Sequence, residues 1–241
     1  MAHIDNRGQH NYGIQYNAAE SMTIGFQPNL VAEAQHQPKR HTILFLGVNP
    51  KDILKKQQYS LRLDEEMREI DAALHRTTYR DLFVIQQQWA VTVAGFQEHF
   101  LRHKPTIVHF SGHGSLSGAF FLEDSDGNKN PIPPSTLSQV FSLHQDAIRC
   151  VVLNACYSEK QAQAIAQHVD CVVGMAQAIG DKAAIAFARA FYQALGYGGN
   201  IEAAFKSGCI QINLEGINEQ NTPKLLALRK KPQEITFVDN D

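Results

Sequence analysis

From residue 41 onward, short unbroken apolar runs alternate with stretches in which apolar residues recur every three or four positions. Thr42-Ile43-Leu44-Phe45-Leu46-Gly47 is apolar throughout and stops at glycine, the pattern of a strand covered on both faces. Leu63, Met67, Ile70 and Leu74 follow at helical spacing, with Asp64, Glu65, Glu66 and Arg68 as the wet side. Leu82-Phe83-Val84-Ile85 is a second strand candidate. Val93, Phe96, Phe100 and Leu101 fit a helix stopped by Pro105. Thr106 to Phe110 is again strand-like, and Ala119-Phe120-Phe121-Leu122 runs into a hairpin turn over Glu123 to Asn128.

Pro133-Pro134-Ser135 opens a helix with Leu137, Val140 and Phe141 as its core face. Cys150-Val151-Val152-Leu153 and Cys171-Val172-Val173-Gly174-Met175 are two more buried strands. Ser158 with Gln161 three residues later reads as a capping box that starts a helix through Ala164, Ile165 and His168. Ala183 to Leu195 is a strong helix closed by Gly196, Ile201 to Cys209 a shorter one, and Ile235 to Val238 a candidate edge strand. Strands alternating with helices predict an α/β fold: a mostly parallel sheet with helices on both faces. In such sheets the site lies beyond the carboxyl ends of the strands.

Residues 1–40 break this pattern. They are rich in Asn, Gln and His and poor in large aliphatics. Such a segment buries too little apolar area to offset its ordering entropy. It is expected to be a polar N-terminal extension, flexible or pairing with a partner or a second copy, ahead of one domain over 41–241.

Composition narrows the function more by exclusion. The chain has 241 residues, 44% of them hydrophobic, and a net charge of −2. That balance does not point to nucleic acid or a membrane surface as partner. No apolar run approaches the roughly 20 residues that span a bilayer. The N-terminus lacks the pattern of a signal peptide. Cys150, Cys156, Cys171 and Cys209 have neither paired-ligand spacing nor the look of a disulfide scaffold, so a cytoplasmic location with free thiols is expected.

Two motifs carry chemistry. Ser111-Gly112-His113-Gly114 follows one buried strand and Asn154-Ala155-Cys156-Tyr157-Ser158 ends another. One loop offers an imidazole and the other a thiol, the pairing that a cysteine nucleophile needs. A helix N-terminus just after Cys156 would favour its thiolate. The glycines around His113 free the backbone to turn, and the Gly114 N–H, with that of Cys156, suits an oxyanion. A cysteine in an apolar run is by itself usually a small buried hydrophobe, and a histidine in a glycine-rich loop is often plain surface. Their joint occurrence at two strand ends is more specific. His109 inside its strand does not complete a zinc site, and Asp124, Asp126 and Asn128 fail the calcium-loop pattern at Lys129 and Ser135.

These residues resemble the His and Cys motifs of the CHAT peptidases, a branch of the caspase-like proteases close to separase. The 43-residue separation of His113 and Cys156 suits that family. Leu44-Phe45-Leu46-Gly47-Val48 resembles its first strand. Val173-Gly174-Met175 resembles its post-cysteine strand, and Asp181-Lys182-Ala183-Ala184 with Phe187 and Phe191-Tyr192 its Asp-x-Ala-Ala helix. The resemblance covers residues 41–215. It implies a caspase-like three-layer sandwich and an endopeptidase with Cys156 as nucleophile, His113 as general acid and base, and no metal or organic cofactor. Where metacaspases carry an acid two residues before the nucleophile, this chain has Asn154. Separase has an aspartate in the segment that resembles Gly180-Asp181-Lys182. Asn154 and Asp181 are thus the candidates for the substrate-binding pocket, although Asp181 also fits an ordinary helix N-cap. The resemblance further implies a protein substrate, a separate sensor or regulator chain, and a setting in bacterial defence or signalling. The alternative is a non-catalytic caspase-like scaffold.

Overall fold

In a computed structural model, residues 39–56 and 60–238 are described. The expectations for the N-terminal extension fall outside these residues, apart from positions 39 and 40. Among the described residues the central sheet has six strands, β1 (His41–Gly47), β2 (Phe83–Trp89), β3 (Ile107–Ser111), β6 (Cys150–Asn154), β7 (Cys171–Met175) and β8 (Pro223–Leu226). They lie in the order β2-β1-β3-β6-β7-β8. All neighbours run parallel except β7 and β8. A separate antiparallel hairpin, β4 (Phe120–Glu123) and β5 (Lys129–Ile132), forms at the expected turn.

The strands read as continuous apolar runs because both faces are covered. Ile43, Phe45, Ile107, Val152 and Val173 point to one core, packed against Met67, Ile70 and Leu74 of α2 (Leu63–His75) and against α6 (Asp181–Gly196) and α7 (Ile201–Leu214). Leu44, Leu46, Val108, Phe110, Val151 and Leu153 point to the other. There they meet Phe100 of α3 (Phe96–His103), Leu137, Val140 and Phe141 of α4 (Pro134–Leu143), and Ala162 and Ile165 of α5 (Glu159–Ile165). This is a three-layer α/β sandwich. The first helix, α1 (Lys51–Lys56), lies between β1 and α2 in the chain. On α6, Phe187, Phe191 and Tyr192 are fully buried. Truncating one such ring, as in Phe191→Ala, is expected to cost about 3–5 kcal/mol. At Gly208 a Cβ would come within 2.5 Å of the Phe187 ring, so glycine there lets α7 lie close on α6.

Several local expectations are corrected. The second strand runs on through Gln86-Gln87-Gln88 because it is the sheet edge among the described residues, where polar side chains are tolerated. Val93 and Leu101 are exposed and do not belong to the core face that Phe96 and Phe100 make. Ser158 and Gln161 form no capping box. The Ser158 hydroxyl donates to the Leu153 carbonyl and accepts from the Met175 N–H, each at 2.9 Å, and so ties β6 to β7. The Gln161 amide instead donates to the Gly118 carbonyl. The last edge strand is β8. Ile235, Phe237 and Val238 are buried without joining the sheet: the Ile235 carbonyl accepts from the Ile201 N–H at 3.0 Å, and the Thr236 carbonyl from Arg149 at 2.7 Å.

Candidate active site

The carboxyl ends of β3 and β6 flank one pocket, beyond the end of the sheet where sites of such folds lie. Its lining includes Glu66, His113, Asn154, Cys156, Ile179 and Asp181. The sequence-predicted residues His113, Cys156, Asn154 and Asp181 are therefore brought together. A larger cleft of about 400 Å³ opens beside β2, but its lining has no thiol and none of these residues.

Burial lowers the pKa of His113 from its ordinary value, so the imidazole is neutral at pH 7. Its Nε2–H donates to Asn49 Oδ1 at 3.0 Å. The orientation of Asn49 is fixed by its own amide nitrogen, which donates to Ser60 Oγ at 2.9 Å and to the Leu61 carbonyl at 3.4 Å. The hydrogen thus sits on Nε2, leaving Nδ1 as the basic nitrogen. Asn49 follows β1, and nothing in the local sequence assigned it a role.

Cys156 is half-buried, and its thiol donates to the Ile179 carbonyl at 3.7 Å. Thiol and imidazole line the same pocket, each engaged by another partner. Tyr157 has a left-handed backbone, φ 56°, uncommon for a bulky residue; this turns the chain sharply after the cysteine. α5 begins only at Glu159 and is seven residues long, so the expected helix end stands three positions from the thiol. A Cβ on Gly114 would run into the carbonyl oxygen of Cys156. Glycine there is what allows the histidine loop to lie against the cysteine backbone.

Asn154 is buried. Its amide donates to Glu66 Oε1 at 2.5 Å and to the Ala184 carbonyl at 3.2 Å, and its Oδ1 has no hydrogen-bond partner among the described residues. Asp181 is the first residue of α6 rather than its cap; Gly180 holds the cap position. The Asp181 carboxylate accepts from the backbone N–H of Arg62 at 3.1 Å and from its Nε at 2.6 Å. The N-cap reading of Asp181 is thereby replaced: the acid binds a basic side chain of this chain.

Beneath the pocket lies a buried polar network. Tyr192 keeps its phenolic proton, because burial pushes its pKa well up. It therefore donates to His109 Nδ1 at 3.1 Å, and His109 Nε2–H donates to Glu66 Oε1 at 2.8 Å. Ser111 Oγ donates to Glu66 Oε2. Helical periodicity put Glu66 on the wet side of α2. It stands, however, three residues after Leu63 and four before Ile70, on the same stripe, and that offset was the available signal.

The CHAT domain family pattern matches residues 10–215. The match thus begins inside the segment read as an extension. The chain is 26% identical over 197 residues to a "probable protease" of Gillisia limnaea, covering 80% of this chain and 33% of that protein. It is 29% identical over 100 residues to a "Roc-COR-CHAT protease" of an unknown prokaryotic organism, covering 39% of this chain and 9% of the relative. The chain thus spans a third or less of the length of these relatives. Among solved structures, the Arg-specific cysteine proteinase gingipain R aligns with TM-score 0.57 at 11% identity, over 81% of this chain and 47% of that one. Caspase-1 from Spodoptera frugiperda aligns with TM-score 0.53 at 12% identity, over 79% and 87%. These two likenesses show the caspase-like fold.

Proposed function

Because this chain belongs to the CHAT domain family, we propose that it is a cysteine endopeptidase acting through Cys156 and His113. The observation that carries the reading is the convergence of a half-buried thiol and a neutral imidazole on one pocket at the carboxyl end of the sheet. His113 Nδ1 takes the thiol proton and the Cys156 sulfur attacks the peptide carbonyl. The oxyanion is placed for the N–H groups of Gly114 and Cys156. His113 then protonates the leaving amine, and the acyl-enzyme is hydrolysed by water with His113 as base. Asn49 holds the imidazole in the required tautomer, as the third member of such constellations does. No step calls for a metal or an organic cofactor.

The pocket beside the dyad is proposed to take the side chain before the scissile bond. Asp181 supplies the charge for Arg or Lys, and Asn154 Oδ1 supplies a free acceptor. Thiol, imidazole and Asp181 are each engaged elsewhere in this structure. That supports a resting form which a separate regulator chain activates. A role in bacterial defence or signalling rests on kinship alone. Among the described residues no helix is long and apolar enough to cross a membrane. The test is hydrolysis of a peptide library by the intact chain, alone and with proteins encoded beside it. New termini that vanish with Cys156→Ala support the reading. Absence of cleavage under every condition, with the same partner bound by Cys156→Ala, would favour the scaffold reading.

A further inference from the structure

Ser111 and Asn154 are register partners across β3 and β6, the last paired residues of those strands. Each stands two positions before a candidate catalytic residue, Ser111 before His113 and Asn154 before Cys156. Beyond that pair the backbone contact is long, with the Gly112 N–H 3.4 Å from the Asn154 carbonyl oxygen. Where the ladder weakens, one carboxylate takes over: Glu66, 3% exposed, accepts from Asn154 with one oxygen and from Ser111 with the other.

We propose that Glu66 is a positioning residue, a buried clamp across β3 and β6 that sets the His113 loop against the Cys156 loop. The proposal rests on the reading of those two residues as the catalytic pair. A carboxylate suits the task because it is an acceptor with two oxygens set at a fixed separation, so it satisfies donors from two strands at once. Asparagine and serine supply those donors. His109 adds a third at 2.8 Å, and is itself held by Tyr192 and by stacking on Phe45, with ring centroids 5.2 Å apart and planes 9° from parallel. Glu66 is thus anchored from below by groups that do not reach the pocket's reacting atoms. Burying such a group costs free energy unless its donors are all in place, so the network is either complete or disruptive. Catalytic geometry is sensitive to this: a displacement of about 1 Å at the reacting atoms lowers rates roughly 100-fold.

The experiment uses the full chain as wild type, Glu66→Gln, Ser111→Ala and the double variant. The rate of Cys156 alkylation by iodoacetamide at pH 7 is followed by peptide mass spectrometry. It is read beside kcat and KM on a peptide that the wild type cleaves, and beside thermal melting. Glu66→Gln is expected to slow alkylation and lower kcat by about tenfold or more with KM within about twofold. Ser111→Ala loses less, and the double variant is no worse than Glu66→Gln, because both remove the same clamp. A lowered melting temperature with wild-type alkylation and kcat would overturn the proposal. So would a raised KM for Arg or Lys peptides at unchanged kcat, which would make Glu66 a specificity acid. If Glu66→Gln does not fold, Ser111→Ala decides alone, and unchanged alkylation in it overturns the proposal. If the wild type cleaves no peptide either alone or with the proteins encoded beside it, the peptidase reading fails while the alkylation rates still test the clamp.

Discussion

Arg62 and Asp181, 119 residues apart in the chain, meet through two hydrogen bonds at the candidate pocket, with the guanidinium Nε 2.6 Å from the carboxylate. A basic substrate side chain directed to Asp181 must displace this arginine. The pair is partly open to solvent, with side-chain exposures of 42% and 29%. Such pairs contribute only about 0–1 kcal/mol, so the competition is soft. Arg62→Gln is expected to lower KM for peptides with Arg or Lys before the scissile bond by roughly two- to fivefold. KM for uncharged peptides should stay as it is. Asp181→Asn should abolish the difference between basic and uncharged peptides. Steady-state kinetics on matched peptides check this. A KM that rises for basic peptides in Arg62→Gln would show that the arginine only staples α2 to α6.

The four cysteines should separate cleanly by reactivity. Cys150 and Cys171 are fully buried, and the Cys171 thiol is pushed up by its hydrogen bond with Cys150 and by burial. Burial lifts Cys209 to about 11. Cys171 and Cys209 are therefore poor nucleophiles at pH 7, since the thiolate is the reactive form, and Cys150 is closed off from solvent by burial. A peptidyl electrophile is therefore expected to label Cys156 first. Cys156→Ala should end hydrolysis with little change in melting temperature. Peptide mapping after brief labelling reads this directly, and equal modification of all four cysteines in the native protein would contradict it.

That His113 and Cys156 would come together at one pocket was legible in the sequence because their signals are local. Each follows an apolar run, and the glycines beside His113 mark a loop. Asn49, Arg62 and Glu66 were not legible because their roles exist only once distant segments meet. Glu66 was further hidden by its charge, which placed it with the wet residues although its offsets from Leu63 and Ile70 put it on the buried stripe. The sheet's interior was read correctly because strands covered on both faces are uniformly apolar. Its edges were not. β2 carries three glutamines, and β8 begins at Pro223, a residue that a strand accepts only where its missing N–H is harmless. The run Ile235 to Val238 looks like a strand but spends its carbonyls on α7 and Arg149.

Asn49 gives a test of the imidazole's orientation. Asn49→Ala removes the acceptor at 3.0 Å and frees the ring to rotate or change tautomer. The expected result is a loss in kcat of roughly 10- to 100-fold with KM little changed. Asn49→Asp should keep the acceptor and restore part of that loss. Equal kcat in Asn49→Ala and wild type would remove Asn49 from the site.

The pH dependence follows from the burial of His113. Burial lowers its folded pKa below the unfolded value of about 6.5, so the base stays neutral and competent below that pH. The acid limb of kcat/KM is therefore expected to fall below pH 6.5, and Cys156 alkylation should share it. The same shift affects stability, with a definite sign. Between the folded and unfolded pKa values the unfolded chain binds more protons, so stability rises with pH across that window. The His113 contribution is complete above about pH 6.5 and is lost as the pH drops through the folded pKa. His99 and His144 are lowered by burial too, so total stability against pH does not isolate His113. The informative comparison is wild type against His113→Gln, melted in parallel from pH 5 to pH 8. The difference between them should shift in favour of the variant as the pH falls below 6.5. A constant difference across that range would show that His113 titrates as in the unfolded chain, and that its environment does not hold it neutral for proton transfer.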